Sequence, residues 1–186
     1  MIENPQESSR HYTNCHDRLP LAAPGAFAPR GLCRFCSRFF ELHDASPCRG
    51  EWIATGTSFG KPRRLSDDPR SNSEPWNSTL TATWYSGQFF LIQDERATSR
   101  GAPFDTISIL GVDARTGKYF ARSFENHGFY RHYDVTLQGR VWTLTGDTER
   151  ARIELSTDGR AQTITWEWKP DDHWLPLCDR VAIRQD

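Results

Sequence analysis

Five cysteines and six histidines are the first residues in this 186-residue chain that could do chemistry. Cys33-x-x-Cys36 has the knuckle spacing of a zinc site, and Cys15, His16, His43 and Cys48 are within reach in sequence to complete four ligands. A zinc site built on such a knuckle normally closes with a second tight pair, and Cys48 stands alone. Cys36 also falls on an apolar helix face, where a free cysteine acts as a small hydrophobe. A redox Cys-x-x-Cys needs a strand–helix–strand context that is absent. We therefore expect no bound metal and no cofactor. Cys178 reads as core.

The histidines divide by context. His127, in Asn126-His127-Gly128, reads as a solvated turn residue. His132 lies among aromatics in Tyr130-Arg131-His132-Tyr133-Asp134 and could serve a pocket as a base or hydrogen-bonding group, or be an ordinary strand histidine. Gln93, Asp94 and Glu95 end the apolar run Phe89–Ile92, and one of them could orient a ligand. No Gly-x-Ser-x-Gly, phosphate-binding loop, dinucleotide fingerprint or His-Glu-x-x-His occurs, and no spacing pairs two carboxylates for catalysis.

These residues need elements to hold them. Residues 1–31 carry Pro5, Pro20, Pro24 and Pro29 without sustained periodicity, so an extension is expected, poorly ordered or draped over the surface. Leu32, Phe35, Cys36, Phe39, Phe40 and His43 recur at three and four, predicting a short amphipathic helix. From Glu51 the period switches to two. Strands are predicted over 51–59, 77–85, 88–96, 106–113, 118–125, 130–138, 140–145, 150–156, 161–169 and 175–184. Tight-turn signals separate them, and Asp158-Gly159 reads as a two-residue hairpin with positive φ at both positions. Residues 60–75 read as one long polar loop.

Ten short strands joined by tight turns leave no room for crossover helices. The expected fold is an all-β, up-and-down antiparallel calycin-like barrel over residues 32–186, capped at one end by the helix. Closure removes sheet edges. At eight to ten strands it also leaves an interior wider than side chains readily fill.

The 7 Trp, 11 Phe and 5 Tyr supply too much ring surface for a disordered chain. A net charge of −1 gives no field favouring nucleic acid or an anionic membrane, and no run of 18 apolar residues occurs. The arginines are scattered and outnumber the three lysines, which reads as genome composition. Met1–Arg10 lacks a secretory signal pattern, so a cytoplasmic location with reduced thiols is expected.

Several stretches also carry a family pattern. Gly50-Glu51-Trp52 is followed by Gly56 and Phe59-Gly60, then by Gln88–Asp94, and then by Ile109–Asp113 leading into Thr116-Gly117-Lys118-Tyr119. In this order they resemble the DUF1579 family of calycin-like proteins, relatives of lipocalins and nitrobindins, over residues 48–186. The resemblance implies a barrel with a central pocket and no particular activity. Nitrobindins hold haem with a late histidine, which draws attention to His173. Such a ligand projects inward from a strand, whereas Pro170, Asp171 and Asp172 put His173 in a polar turn.

The resulting expectation is a protein that binds a small hydrophobic molecule in its central cavity, with neither nucleic acid nor membrane as partner and with a homodimer as a possible assembly. The ligand-facing candidates are Trp84, Gln93, Tyr119, Phe124, His132, Trp142 and Trp166. The alternative is a cyclase- or isomerase-type enzyme in which His132, Gln93 and Tyr119 converge on the same cavity. Trp52 is expected to plug one end of the barrel.

Overall fold

Alternation of side chains between two faces, set against glycine-bearing turns, dictates the architecture from residue 50 onward. A computed structural model describes residues 48–59 and 68–185. The predicted extension 1–31 and helix 32–43, with Cys15, His16, Cys33, Cys36 and His43, lie outside the described residues.

Eleven strands are present among the described residues: β1 (Gly50–Phe59), β2 (Ser73–Trp84), β3 (Phe90–Ser99), β4 (Ala102–Pro103), β5 (Thr106–Val112), β6 (Tyr119–Glu125), β7 (Tyr130–Gln138), β8 (Val141–Thr145), β9 (Glu149–Leu155), β10 (Ala161–Trp168) and β11 (Leu175–Gln185). Every pairing is antiparallel. The order β2-β1-β11-β10-β9-β8-β7-β6-β5-β3 is closed by pairing of β2 with β3, so the ten long strands form a complete barrel wall. The two-residue β4 adds only to the end of β3.

Two local expectations are corrected. Residues 73–75 belong to β2 and not to a loop. Pro75 is tolerated because β2 pairs only with β1 at that point; pairing with β3 starts at Trp76. At Asp158-Gly159 only Gly159 has positive φ, and the connection from Leu155 to Ala161 is longer than two residues. Two-residue hairpins occur instead at Arg100-Gly101, with positive φ at both residues, and at Gly139-Arg140, with positive φ at the glycine alone. The latter is the pattern of a type II′ turn.

The register assigns the faces. Inward positions run toward one end as Trp52, Ala82, Leu91, Ala121, Val135, Trp142 and Leu155, which are all buried. This end is the floor. Trp52, 1% exposed, fills it, and its indole Nε1 donates to the Cys48 carbonyl at 3.3 Å. Arg184, paired with Trp52 across β1 and β11, lies over that indole, 5.4 Å from the ring centroid. Burial pushes the Cys48 thiol up to about 12, so it remains protonated at neutral pH.

Candidate functional site

Following the inward positions away from the floor, the side chains change character strand by strand. β3 runs Leu91, Gln93, Glu95. β5 runs Leu110, Ser108, Thr106. β6 runs Ala121, Ser123, Glu125. β7 runs Val135, Tyr133, Arg131. Register places Gln93, Ser108, Ser123 and Arg131 in one row across four strands, and Glu95, Thr106 and Glu125 in the next. The half of the interior opposite the floor is therefore a polar mouth.

Two ion clusters stand on separate sectors of this mouth. In the first, Arg180 on β11 reaches across β1 and β2 to Glu95 on β3, with Nη1 2.9 Å from Oε1. Ser78 Oγ also donates to Glu95 Oε1, at 2.7 Å, and accepts from Trp76 Nε1 at 3.2 Å. The guanidinium packs over the Trp76 ring, 4.5 Å from its centroid. The route is opened by Gly56, which lies between Trp76 and Arg180 in the register. A Cβ at Gly56 would stand 2.1 Å from the Asp179 carbonyl oxygen and 2.7 Å from Arg180 Cα. Burial opposes the Arg180 cation, but Glu95 and Cys178 together outweigh it and hold the guanidinium above its ordinary value. Arg180 Nε is enclosed without an acceptor.

In the second cluster Arg131 on β7 bridges two carboxylates. Its Nη1 meets Glu125 Oε1 at 2.5 Å, and its Nε meets Glu149 Oε2 at 2.9 Å. The Tyr133 hydroxyl donates to the same Glu149 oxygen at 3.0 Å. Burial, then the adjacent Glu149 charge, pushes the Tyr133 hydroxyl well above its ordinary pKa, so it serves as a donor. Burial also raises Glu125, against the opposing pull of Arg131. Between the clusters Ser108 and Ser123 share a hydrogen bond of 2.8 Å across β5 and β6.

The candidates chosen from sequence separate by face. Trp84, Gln93, Tyr119, Trp142 and Trp166 point inward. Trp142 and Tyr119 meet edge to face with centroids 6.2 Å apart and belong to the floor, as does Trp84. Trp166 lies higher, edge-on to Tyr133 at 5.5 Å. Phe124 and His132 are corrections: both lie on the outer wall. Phe124 cannot share a face with Tyr119 in one regular strand, because the positions differ in parity. It stacks outside on Tyr130 at 5.2 Å. His132 alternates with the buried Tyr133, leaves its side chain 55% exposed, and sits 3.9 Å from Asp147. The trio of His132, Gln93 and Tyr119 thus does not converge.

His127 is not purely solvated, since its ring lies against Phe104 with centroids 5.3 Å apart. His173 occupies the β10–β11 turn with its side chain 85% exposed and its backbone N–H on Asp171 Oδ1 at 2.9 Å. It does not project into the barrel, so it does not fit the inward strand position of a haem ligand. Among the described residues no three His, Cys, Asp or Glu side chains are grouped to hold a metal ion, and no helix is long and apolar enough to cross a membrane. Cys178 is buried, as its strand position predicts.

Sequence reasoning missed Glu125, Arg131, Glu149 and Arg180, and held Glu95 only as one of three polar residues that could orient a ligand. The signal for three of them was parity: Arg131 alternates with Tyr133, Val135 and Leu137, Glu125 with Ser123 and Ala121, and Arg180 with Cys178 and Ala182.

The fold defines a class, the closed antiparallel β-barrel. The same architecture is seen in the crystal structure of Rv2717c from M. tuberculosis. The two share 15% identity with a TM-score of 0.57, covering 78% of this chain and 97% of that one. At that identity the likeness concerns fold alone. No family model matches the chain. No curated protein matches it either.

Proposed function

We propose that the barrel is a binding protein for a small, largely apolar molecule seated in the half of the interior opposite the floor. The supporting observation is a difference in burial along single strands. On β6 the inward Ala121 is 1% exposed, whereas the inward Ser123, two residues on, keeps contact with solvent. Leu91 and Gln93 on β3 repeat the difference. Inward side chains that stay solvated in mid-barrel bound a hollow and not a packed core. Trp166, inward on β10 and edge-on to Tyr133, would give such an occupant apolar surface. This reading includes the calycin-like kinship suggested by the sequence pattern.

The enzyme alternative loses its proposed base with the outward placement of His132. Titration with the neutral fluorophore N-phenyl-1-naphthylamine tests the binding reading. Saturable quenching of tryptophan emission is expected, together with a rise in melting temperature. At a free probe concentration of ~100 times Kd the added stability is about 2.7 kcal/mol. Ser123→Phe fills the hollow and should abolish both signals. Absence of saturable binding to the wild-type protein would overturn the proposal.

A further inference from the structure

We propose that the molecule held in the mouth carries an uncharged hydrogen-bond acceptor, a ketone or amide carbonyl on an apolar body, and that the Arg180 guanidinium receives it. This rests on the reading of the open half as a ligand chamber and adds the chemistry of its occupant.

Arg180 projects inward from β11, in register with Gly56, and its side chain is only 9% exposed. A planar guanidinium takes acceptors along its edges, in its own plane. Its face packs over the Trp76 ring. One edge is used: Nη1 donates to Glu95 Oε1 at 2.9 Å, and that oxygen also accepts from Ser78. The Nε–H is enclosed and finds no acceptor. The register shows why. Glu95 lies across β1 and β2, on one side of Arg180. On the other side, β10 and β9 turn Ile164, Trp166 and Ile153 inward, and none of these carries an acceptor atom. The Cys178 thiol also adjoins the guanidinium, but a thiol sulfur is a weak acceptor.

An enclosed donor on a buried cation costs free energy that a single oxygen would recover. The charge that oxygen can bear follows from its surroundings. Glu95 already balances Arg180. Elsewhere in the mouth Arg131 alone serves both Glu125 and Glu149. A carboxylate guest would add a second anion to a pair that is already neutral. An ammonium has no acceptor to offer. A carbonyl oxygen takes the charge-assisted hydrogen bond and leaves that balance undisturbed. Ile164 and Trp166, inward on the neighbouring strand, suit the apolar body that such a carbonyl would sit on.

The test is displacement of N-phenyl-1-naphthylamine by hexyl methyl ketone, by its methylidene analogue, in which a CH₂ group replaces the carbonyl oxygen, and by octanoate. The two neutral competitors have nearly one shape, and the ratio of their potencies is read within each protein. That ratio should favour the ketone about tenfold more in the wild-type protein than in the double variant Glu95→Leu with Arg180→Met, the size expected of a hydrogen bond to a charged group. Octanoate should compete less well than the ketone. A second readout does not depend on the variant folding. In nitrogen–proton correlation spectra of the wild-type protein, the ketone should move the Arg180 Nε–H resonance, assigned through its side-chain carbons, to higher proton frequency, and the methylidene analogue should not. A ratio equal in the two proteins, an Arg180 resonance that ignores the ketone, or octanoate as the stronger competitor overturns the inference while leaving the chamber intact. Failure of the neutral probe to bind at all removes the chamber and the inference together.

Discussion

The floor and the mouth of this barrel are made by the same strands, separated by only two or four residues along each. At the floor, small residues such as Ala82 and Ala121 let Trp52 and Trp142 fill the lumen, and the inward side chains there are mostly apolar, with the buried Gln162 opposite Leu155. At the mouth the corresponding positions hold serine, glutamine, glutamate and arginine, tied to one another in pairs and triads. The comparison teaches that barrel closure and barrel contents are separable. Alternation and turns close the wall, while the identity of the second or third inward residue of each strand decides whether the lumen is filled or kept polar and open. Packed apolar side chains are concentrated at one end and hydrogen-bonded polar ones at the other.

The sharpest way to break this division is at Gly56, where floor-type packing meets mouth-type charge. Gly56→Val pushes a side chain into the backbone of Asp179 and Arg180. Neither can retreat while β1 and β11 stay paired, so loss of cooperative folding is expected in circular dichroism and urea titration. Next in size is Trp52→Ala, which should cost about 3–5 kcal/mol by chemical denaturation. A floor that tolerated this change would not be the stabilising end.

The mouth should respond differently. Glu95→Ala strands the Arg180 cation inside the barrel and should cost about 3 kcal/mol. The double change Glu95→Leu with Arg180→Met removes both charges together and should recover most of that loss, which a double-mutant cycle would measure. Smaller still is a pH effect. Glu125 binds its proton more tightly in the folded state than in the unfolded chain. Its contribution to stability is therefore complete below the ordinary carboxylate range of about 4.3 and is lost as pH rises through the raised folded value. Glu125→Gln should abolish that part of the decline, seen as converging or crossing stability–pH curves for the two proteins. The smallest effect is expected on the outer wall. Phe124→Ser removes one exposed ring from the Tyr130 stack and should change stability by no more than ~1 kcal/mol, with probe binding unaltered.

Much of the wall was legible in the sequence because strands announce themselves twice, by alternation within and by turn residues between. Thr106–Val112, Tyr119–Glu125 and Tyr130–Gln138 match their predicted spans to within a residue. The plug at Trp52 was legible too, since a tryptophan just inside the first strand needs a partner for its indole N–H and finds the Cys48 carbonyl. Which face looked inward was harder. On β6 the bulky face, with Phe120 and Phe124, is the outer one, where Phe120 leans on Phe90 and lies under Arg122. On β10 the bulky face, with Ile164 and Trp166, is the inner one. Bulk alone cannot distinguish these cases, but parity within a strand can, and it separates Tyr119 from Phe124. The ion clusters were hidden for another reason. A charged residue in a strand is normally read as solvent-facing, and Glu95 and Arg180 lie 85 residues apart in the chain.

The closing seam has a consequence for how the molecule is made. Among the described strands the first is zipped to the last, with Glu51 opposite Gln185, so the ring cannot shut until β11 has been made. Until then the earliest-made strand offers a naked backbone edge to any neighbour, and crowded synthesis invites illicit pairing between nascent chains. Pairing across so long a stretch of chain makes closure of the ring slow on topological grounds alone.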